Sequence, residues 1–404
     1  MPCTNVIARL LLKENKAKVI KRTPFTIKLL YQTTNYLQDI TLGIDTGSSK
    51  IGSAAVDVNN NILYLSEIEI RNDIADKMKR RSKYRRNRRN RKTRYRKPRW
   101  LNRKNSIKKD RFSPTMISKI NSHLKEINFV KSILPITKLI LETATFDPHA
   151  LKNPEVLINK WLYQKGINYG YANTRAYVLD RDNYTCQHCK GKSKDKRLHV
   201  HHIIFRRNGG SDEPENLITL CETCHDKLHH GLIDLKLKGK LKGQLKHATQ
   251  MNGIRIQLLK LLPEAKETFG FITKEHRQLM DLPKEHYYDA VTIASLDKFN
   301  EEKYDDINFK TNIILFKKCI SKGDYQQTKG VRSEQKIPTG KIQGFRKFDK
   351  IRYLGKEYFI KGRMSTGYAI LMNIHGDKIV LKPIPKFSKM KRFGARKSWL
   401  IKEI

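Results

Sequence analysis

Hydrophobic and polar positions along the chain change their period several times, and each change predicts a different element. Residues 8–13 follow a helical pattern, and residues 24–29 then alternate apolar and polar side chains, which is typical of a strand. The run 40–45 is apolar until it reaches Asp45 and a turn, and residues 51–56 return as the second strand of a hairpin. The N-terminal part of the chain therefore predicts a small α+β element followed by a β-hairpin.

Two further segments carry an acidic residue at the end or the start of an apolar element. Residues 138–142 form a short apolar run that ends in Glu142, and residues 283–296 open with a proline and continue as an amphipathic helix that carries Asp289 near its start. Residues 350–382 alternate with period two between glycine turns, which predicts a small antiparallel β-domain. The predicted fold class is therefore a multidomain α+β protein.

Composition favours a polyanionic partner. The chain has 83 Lys and Arg against 39 Asp and Glu, a formal charge of +44, and such a field attracts nucleic acid. A length of 404 residues predicts about two to four domains, and a hydrophobic content of 38% is sufficient for real cores. No apolar run approaches the ~20 residues that a membrane span needs, and the N-terminus carries no signal-peptide pattern. We therefore expect an intracellular nucleic-acid-binding protein with no membrane partner.

One internal segment concentrates the positive charge. Residues 77–104 contain 17 Lys and Arg and no acid, so a helix there would be stable only if phosphates neutralise it. The planar guanidinium group suits bidentate phosphate contacts, and aromatic side chains can stack on bases. The alternative is a solvated basic tail, which the internal position disfavours. The candidate nucleic-acid-binding residues are Arg80, Arg81, Arg85, Arg86, Arg88, Arg89, Arg91, Arg94, Arg96, Arg99, Trp100 and Arg103.

Two cysteine pairs frame a histidine-rich segment. The spacing of a zinc knuckle occurs twice, at Cys186 and Cys189 and at Cys221 and Cys224. Four thiolates suit the tetrahedral preference of Zn²⁺, so we expect a structural zinc ion here rather than two reduced pairs that lie together by accident. Outside this set we expect Cys3 and Cys319 as free thiols, and His188, His199 and His230 as surface side chains.

The histidines between and after the knuckles are placed for metal chemistry. The run 198–203 alternates as a strand, so His201 and His202 lie on opposite faces, and one can bind a metal ion while the other addresses water. His225 and His229 are spaced i, i+4 at a helix start and share one face. The alternative is a zinc-bound DNA-binding knuckle with additional histidines.

This segment resembles the HNH (ββα-metal) nuclease family over about 60 residues. The resemblance implies that His202 is the general base that activates water. It implies that His201, His225 and His229 bind a single divalent ion, Mg²⁺ or Mn²⁺, and that Asn216 orients the histidine strand.

Three carboxylates form a second group of candidates. Asp45 and Glu142 each end a short buried strand, and Asp289 lies beside a helix start, so the three can converge on a pair of Mg²⁺ ions. Taken singly, an acid at such a junction is more often a cap or turn residue. His286 is a further candidate that either positions a metal ion or the attacking water or packs beside Asp289.

The order of the motifs resembles a known family over nearly the whole chain. Residues 43–47, 139–142 and 286–290 resemble the three motifs of the RuvC-type nuclease, an RNase H-like α/β fold split in three. The arginine-rich segment is inserted between the first and second motifs, and the HNH segment between the second and third. This nested layout resembles the IscB family of transposon-encoded RNA-guided endonucleases.

The resemblance implies a bridge helix that grips guide RNA, an HNH centre that cuts the guide-paired strand and a RuvC centre that cuts the displaced strand of a double-stranded DNA target. It also implies that Asp45, Glu142 and Asp289 bind Mg²⁺ or Mn²⁺. The chain is short for the family, so we expect a monomeric protein that depends on a large structured RNA, in a cytoplasmic, nucleoid-associated ribonucleoprotein. Relatives have a strand before residue 1, so the N-terminal element either starts late or is trimmed.

The predicted domains are 1–38, a PLMP-like α+β element; 39–76, RuvC part I; 77–104, the bridge helix; 105–174, RuvC part II with a linker; 175–235, the HNH domain; 236–320, RuvC part III; 321–345, a linker; and 346–404, a C-terminal β-domain that contacts RNA or target-adjacent DNA. Two other functions remain open at this point. One is an HNH/RuvC-type DNA endonuclease that works without RNA, as a homing or junction-processing enzyme does, and the other is a non-catalytic nucleic-acid-binding protein.

Overall fold

The computed structural model describes residues 3–22, 24–33, 38–92, 112–235, 237, 239, 245–298, 313–321 and 340–404. The chain divides into two compact units, one formed by Met1–Ala144 with Gly253–Ile404 and the other by Thr145–Asn252. The smaller unit thus begins well before residue 175, where we placed the start of the HNH domain, because its first segment is built from short helical turns that the sequence pattern does not reveal. Most of the linker predicted at 321–345 lies outside the described residues.

The described residues form the following elements. The strands are β1 (Ala17–Arg22), β2 (Phe25–Leu29), β3 (Ile40–Asp45), β4 (Lys50–Asp57), β5 (Ile62–Glu69), β6 (Lys138–Thr143), β7 (Leu198–His202), β8 (Leu217–Cys221), β9 (Lys266–Phe269), β10 (Leu315–Cys319), β11 (Lys350–Tyr353), β12 (Lys356–Arg363), β13 (Ala369–Met372), β14 (Lys378–Ile379), β15 (Lys391–Gly394) and β16 (Trp399–Glu403). The helices are α1 (Asn5–Lys13), α2 (Ile74–Lys92), α3 (Pro114–Lys131), α4 (Pro148–Lys152), α5 (Thr174–Arg181), α6 (Glu222–His229), α7 (Lys246–Leu261), α8 (Gly270–Leu279) and α9 (His286–Ser295). Within these residues, no helix combines the length and the apolar composition that a membrane span requires.

A seven-stranded mixed sheet organises the larger unit, in the order β16-β10-β5-β4-β3-β6-β9. Strands β3, β4 and β5 form an antiparallel meander, whereas β6 runs parallel to β3 and β9 runs parallel to β6. Every residue of β3 is buried, which explains why its sequence is a continuous apolar run rather than an alternating one. The centre of this sheet is therefore covered on both faces.

Helix α9 packs directly against β3 and β4 because two glycines leave room for it. A Cβ atom on Gly43 would lie 2.3 Å from the carbonyl oxygen of Ala290, and one on Gly52 would lie 1.8 Å from the carbonyl oxygen of His286. Ala290 and Ala294 are fully buried at this contact. The small side chains on both sides thus fix the first turn of α9 against the sheet.

The C-terminal region differs from its prediction in one respect. An antiparallel five-stranded sheet, β14-β13-β12-β11-β15, is present, and its core contains Ile351, Ile360, Leu371 and Phe387. Strand β16, however, pairs with β10 in the seven-stranded sheet, so the segment 346–404 contributes to two sheets. An alternating pattern identifies a strand but not its partner, because pairing depends on contacts far apart in sequence.

The N-terminal element contains α1 and the antiparallel hairpin of β1 and β2. Strand β1 was not predicted, because its lysines interrupt the apolar pattern. In the smaller unit, β7 and β8 form an antiparallel hairpin that packs with α5 and α6. Three of the four knuckle cysteines are buried in the core of this unit together with Ile218 and Leu220.

Candidate functional site

The first cluster consists of three histidines in the smaller unit. Strand β7 carries His201, which is buried, and one face of α6 carries His225 and His229. One ring nitrogen from each histidine lies within 4.8 Å of the others, and the Nε2 atoms of His201 and His229 are 3.2 Å apart. The strand and helix that the sequence predicted therefore bring these three side chains to one point.

The charge state of this cluster fits a divalent cation. Burial, with added repulsion from His229 and His225, lowers the pKa of His201 to about 4. Its imidazole is therefore neutral at physiological pH, which is the form that coordinates a metal ion. Three imidazole nitrogens in this spacing could hold one divalent ion and leave further positions open for water or phosphate.

His202 lies on the other face of β7 and is half-buried. Its Nε2 atom is 2.9 Å from Oδ1 of Asp212, which also accepts a hydrogen bond of 2.6 Å from Nε of Arg206. Arg206 Nε also approaches the imidazole at 3.3 Å, but one nitrogen cannot donate to Asp212 and accept from Arg206 at once. The shorter contacts decide the tautomer: Nε2 carries the proton, and Nδ1 is left as the basic nitrogen. Sequence reasoning missed Asp212, which no local pattern distinguishes from other loop acids.

Asn216 holds the loop that follows the histidine strand. Its side chain is fully buried, accepts a hydrogen bond from the backbone N–H of Ile204 and donates to the carbonyl oxygens of Ile204 and Ser211. Gly210 passes so close that a Cβ there would lie 2.8 Å from Asn216 Nδ2. The amide therefore ties the two ends of the 204–211 loop together directly after His202.

The second cluster contains the four cysteines, whose sulfur atoms all lie within 4.8 Å of one another. The Sγ atoms of Cys189 and Cys221 are 3.7 Å apart, and the corners of a tetrahedron with Zn–S bonds of ~2.3 Å lie about 3.8 Å apart. Hydrogen bonds with Ser193 lower the pKa of Cys189 to about 5, whereas burial raises the pKa of Cys221 and of Cys224. The sulfur geometry therefore fits a tetrahedral ion such as Zn²⁺.

The remaining histidines of this unit differ in their environments. His188 and His230 are exposed, although His188 Nδ1 comes within 3.5 Å of Cys224 Sγ. The prediction that His199 is a surface side chain is wrong: it is half-buried, and its ring stacks on His225 at a centroid distance of 4.6 Å. The alternation of β7 places His199 on the same face as His201, so the ring completes the packing around the histidine cluster.

A third cluster lies in the larger unit, where the three predicted carboxylates meet. Asp45 and Glu142 are direct neighbours on the parallel strands β3 and β6, and Asp289 lies in the first turn of α9. Burial and the charge of Asp45 raise the pKa of Glu142 to about 7, and the same two causes raise the pKa of Asp289. The like charges therefore disfavour one another, and a cluster of this kind fits bound cations.

Basic groups surround these acids. His286 Nδ1 lies 2.6 Å from Oδ2 of Asp45, which raises the pKa of His286, and Arg277 Nε forms an ion pair of 2.8 Å with Asp289. A cavity of about 470 Å³ opens beside Glu142 and Asp289 and is also lined by Lys274, Arg277 and Lys284. Acids that can hold cations thus face basic side chains that can hold a phosphate. Sequence reasoning missed Arg277, since it reaches the cluster from a separate helix, α8.

The arginine-rich segment is described as helix α2 up to Lys92, which begins slightly before residue 77. Arg80, Arg81, Arg85 and Arg86 are all exposed on it. The side chains of Arg88, Arg89 and Arg91, and the whole of Arg94, Arg96, Arg99, Trp100 and Arg103, lie outside the described residues.

Comparisons with known proteins bear on both units. Residues 1–166 match the family described as RRXRR protein, and residues 186–231 match the HNH endonuclease family. Over 102 residues, 24% of this chain, the protein is 28% identical to the type IV methyl-directed restriction enzyme EcoKMcrA of Escherichia coli strain K12, of whose length it spans 35%. Over 69 residues, 17% of this chain, it is 29% identical to Anaredoxin of a Nostoc species, of which it covers 88%. A crystal structure of Streptococcus thermophilus Cas9 in complex with AGGA PAM aligns with a TM-score of 0.35 and 12% identity, over 55% of this chain and 30% of that one.

The HNH match spans the cysteine and histidine clusters of the smaller unit. It runs from Cys186 past His229, so it includes every ligand candidate of both clusters as well as His202, Asp212 and Asn216. The match and the geometry therefore refer to the same set of side chains. The chain therefore carries an HNH endonuclease domain over residues 186–231, and it spans about a third of the length of the restriction enzyme that it resembles.

Proposed function

We propose that the protein is an RNA-guided DNA endonuclease with two hydrolytic centres. The HNH centre would cleave the guide-paired strand, and the carboxylate centre, of RuvC type, would cleave the displaced strand. The observation that carries this proposal is that each compact unit contains its own cluster of candidate metal ligands. In the smaller unit, ring nitrogens of His201, His225 and His229 lie within 4.8 Å of one another. In the larger unit, Asp45 and Glu142 are neighbours on adjacent strands, and the charge of Asp45 raises the pKa of Asp289. A duplex has two strands to cut, and two independent centres match that requirement.

At the HNH centre the side chains divide the chemistry between them. His202 would accept the proton of the attacking water at Nδ1, because its Nε2 proton is directed to Asp212. The Asp212 carboxylate would then stabilise the imidazolium that forms. Asn216 would keep the strand and its loop in register through three hydrogen bonds.

At the carboxylate centre, Asp45, Glu142 and Asp289 would hold Mg²⁺ or Mn²⁺, as the three histidines would at the HNH centre. Such ions, when bound, supply positive charge next to the scissile phosphate and the leaving oxygen. His286 would orient Asp45 through their 2.6 Å contact, and the basic residues that line the cavity would hold the phosphate. The four cysteines would hold a structural Zn²⁺ that supports the HNH hairpin.

Guidance by RNA is supported by charge and by the order of the motifs. The acid in helix α2 is Asp76 in its first turn, and the exposed arginines follow it in a stretch of the helix without acids. The formal charge of the whole chain is +44. The nested order of motifs resembles the IscB family. In such a system base pairing selects the sequence, whereas the protein contacts backbone geometry and a short flanking motif.

The test is to purify the protein together with transcripts of its native locus, sequence the RNA that remains bound, and assay Mg²⁺-dependent cleavage of a matched duplex. Cleavage should disappear after ribonuclease treatment and return when the same RNA is added back. Cleavage of a defined duplex by RNA-free protein would contradict the proposal. Such a result would instead support a second candidate function, a DNA endonuclease that works without RNA. The observation in favour of this candidate is the similarity to a restriction enzyme, which is named as methyl-directed.

A further inference from the structure

An exposed aromatic surface lies in the smaller unit, on the segment of chain between helices α4 and α5. The residue range 156–171 contains several apolar side chains that are open to solvent, among them Ile158 at 83% exposure, Trp161 at 55% and Tyr169 at 62%. Large exposed aromatic rings are costly to leave in water and mark binding surfaces when they cluster. The two metal clusters of this unit do not use these residues.

Trp161 and Tyr169 share one cation between them. The Lys165 ammonium lies 4.4 Å from the ring centroid of Trp161 and 4.7 Å from that of Tyr169, so the two centroids are within about 9 Å of each other. A planar base stacked between two rings needs roughly 7 Å, twice the ~3.4 Å step of a nucleic-acid strand. Lys165 contacts both rings, so a base that takes the place of its ammonium group would contact both rings as well, and the flexible lysine can swing aside while keeping its charge nearby.

The backbone that presents the rings is tied down on both sides. The Tyr163 hydroxyl donates to Asp147, and the Tyr171 hydroxyl donates to Asp180 over 2.5 Å. Asn168 Nδ2 donates to the Thr174 hydroxyl over 2.8 Å, which links the turn to α5. Because the neighbouring tyrosines are fixed, the two exposed rings are held in place before any ligand arrives, which lowers the entropy cost of binding.

Charge selects the class of ligand. Residues 156–171 contain two lysines and no acid, and the cation that lies over both exposed rings is Lys165. Aromatic rings flanked by cations are the common means of binding unpaired bases together with their phosphates, and they tolerate any base because every base has a π-face. A duplex hides its base faces in the stack, so it cannot use the rings in this way.

We propose that Trp161, Lys165 and Tyr169, here called the aromatic platform, bind one unpaired nucleotide of a single-stranded nucleic acid. The base stacks on the rings, and Lys165 moves to the adjoining phosphate. This inference deepens the proposed function and rests on it, since it identifies where the nuclease holds an unpaired strand within the unit that carries the HNH centre.

The test measures binding of the full-length protein in a background that combines His202→Ala with Asp45→Ala, so that both proposed centres are disabled and no chelator is needed. The probes are a fluorescein-labelled oligo(dT) of about 20 nucleotides and a duplex of the same length, in about 0.3 M salt to suppress non-specific contacts. Trp161→Ala and Tyr169→Ala should each weaken binding of the single strand about tenfold or more, and change binding of the duplex less than twofold. Lys165→Gln should lower the slope of log K against log salt by about 0.7.

Ile158→Ala is the matched control, because it removes an exposed apolar side chain of the same segment without removing a ring. It should bind the single strand as the parent does. Unchanged single-strand binding in the two ring variants would overturn the platform. An equal loss in Ile158→Ala, or a wild-type dimer that the ring variants dissociate, would also overturn it and identify a protein-contact surface.

Cleavage by the wild-type chain in Mg²⁺ separates this inference from the proposed function. Guide-dependent cleavage by wild type, combined with ring variants that bind normally, refutes the platform alone. Absence of cleavage under every condition refutes the proposed function, whereas the binding measurements still decide the platform.

Discussion

Gly43→Ala should impair the carboxylate centre and spare the HNH centre, because it changes the packing of α9 without replacing any candidate catalytic side chain. The new Cβ would lie 2.3 Å from the Ala290 carbonyl oxygen and 2.5 Å from the Ala294 backbone nitrogen, whereas ordinary contact begins at 3.4 Å. Both atoms belong to the helix backbone, so α9 must move by roughly 1 Å and carry Asp289 away from Asp45. A displacement of about 1 Å costs on the order of 100-fold in rate, and overpacking costs about 1–3 kcal/mol of stability.

The assay follows each strand of a guide-matched duplex with its own end label. Cleavage of the displaced strand should fall about 100-fold, and cleavage of the guide-paired strand should stay within twofold of wild type because the HNH centre lies in the other compact unit. Gly362→Ala is the matched control, since its Cβ would lie 3.2 Å from a side-chain carbon of Ile370 that can rotate away. A folded Gly43→Ala protein that cuts both strands at wild-type rates, or loses both equally, would refute the reasoning.

Three further predictions follow from the site and the core. Asp212→Asn should slow cleavage of the guide-paired strand about tenfold, a modest loss because the Asp212 side chain is half exposed. Asp234→Asn replaces an exposed acid of the same unit and should leave the rate unchanged. Equal cleavage rates in the two variants would exclude Asp212 as the partner of His202. Cys186→Ser should abolish the zinc content and make residues 145–252 sensitive to protease, and Cys319→Ser should do neither; zinc retained in Cys186→Ser would contradict the cysteine site. Burial lowers the pKa of His123 from 6.5 to about 4. As the pH falls, the unfolded chain therefore binds a proton at this histidine before the folded chain does. The free energy of unfolding should consequently fall by up to about 3 kcal/mol between pH 6.5 and pH 4. His123→Gln should remove that part of the pH dependence in denaturant titrations, and an unchanged slope would show that His123 does not contribute.

Local patterns in the sequence were sufficient wherever the backbone itself sets the geometry. The alternation of 198–203 and the i, i+4 spacing of His225 and His229 determined which side chains share a face, and the structure brings them within ligand distance of His201. The apolar runs that end in Asp45 and Glu142 became adjacent parallel strands. In these cases the period of the element fixes the direction of each side chain.

Contacts between distant segments could not be predicted in the same way. The pairing of β16 with β10, the Arg277 ion pair with Asp289 and the hydrogen bond between His202 and Asp212 each join residues that no periodic pattern relates. The stacking of His199 on His225 is of this kind as well. Such contacts depend on how whole elements pack, so they emerge only from the three-dimensional arrangement.

The most direct test of the two-centre account is strand-resolved cleavage of a guide-matched duplex by His202→Ala, Asp45→Ala and the double variant, with the RNA that co-purifies with the protein. The account predicts that His202→Ala cuts only the displaced strand, that Asp45→Ala cuts only the guide-paired strand, and that the double variant is inactive. Loss of both cuts in either single variant, or cleavage that survives in the double variant, would contradict it.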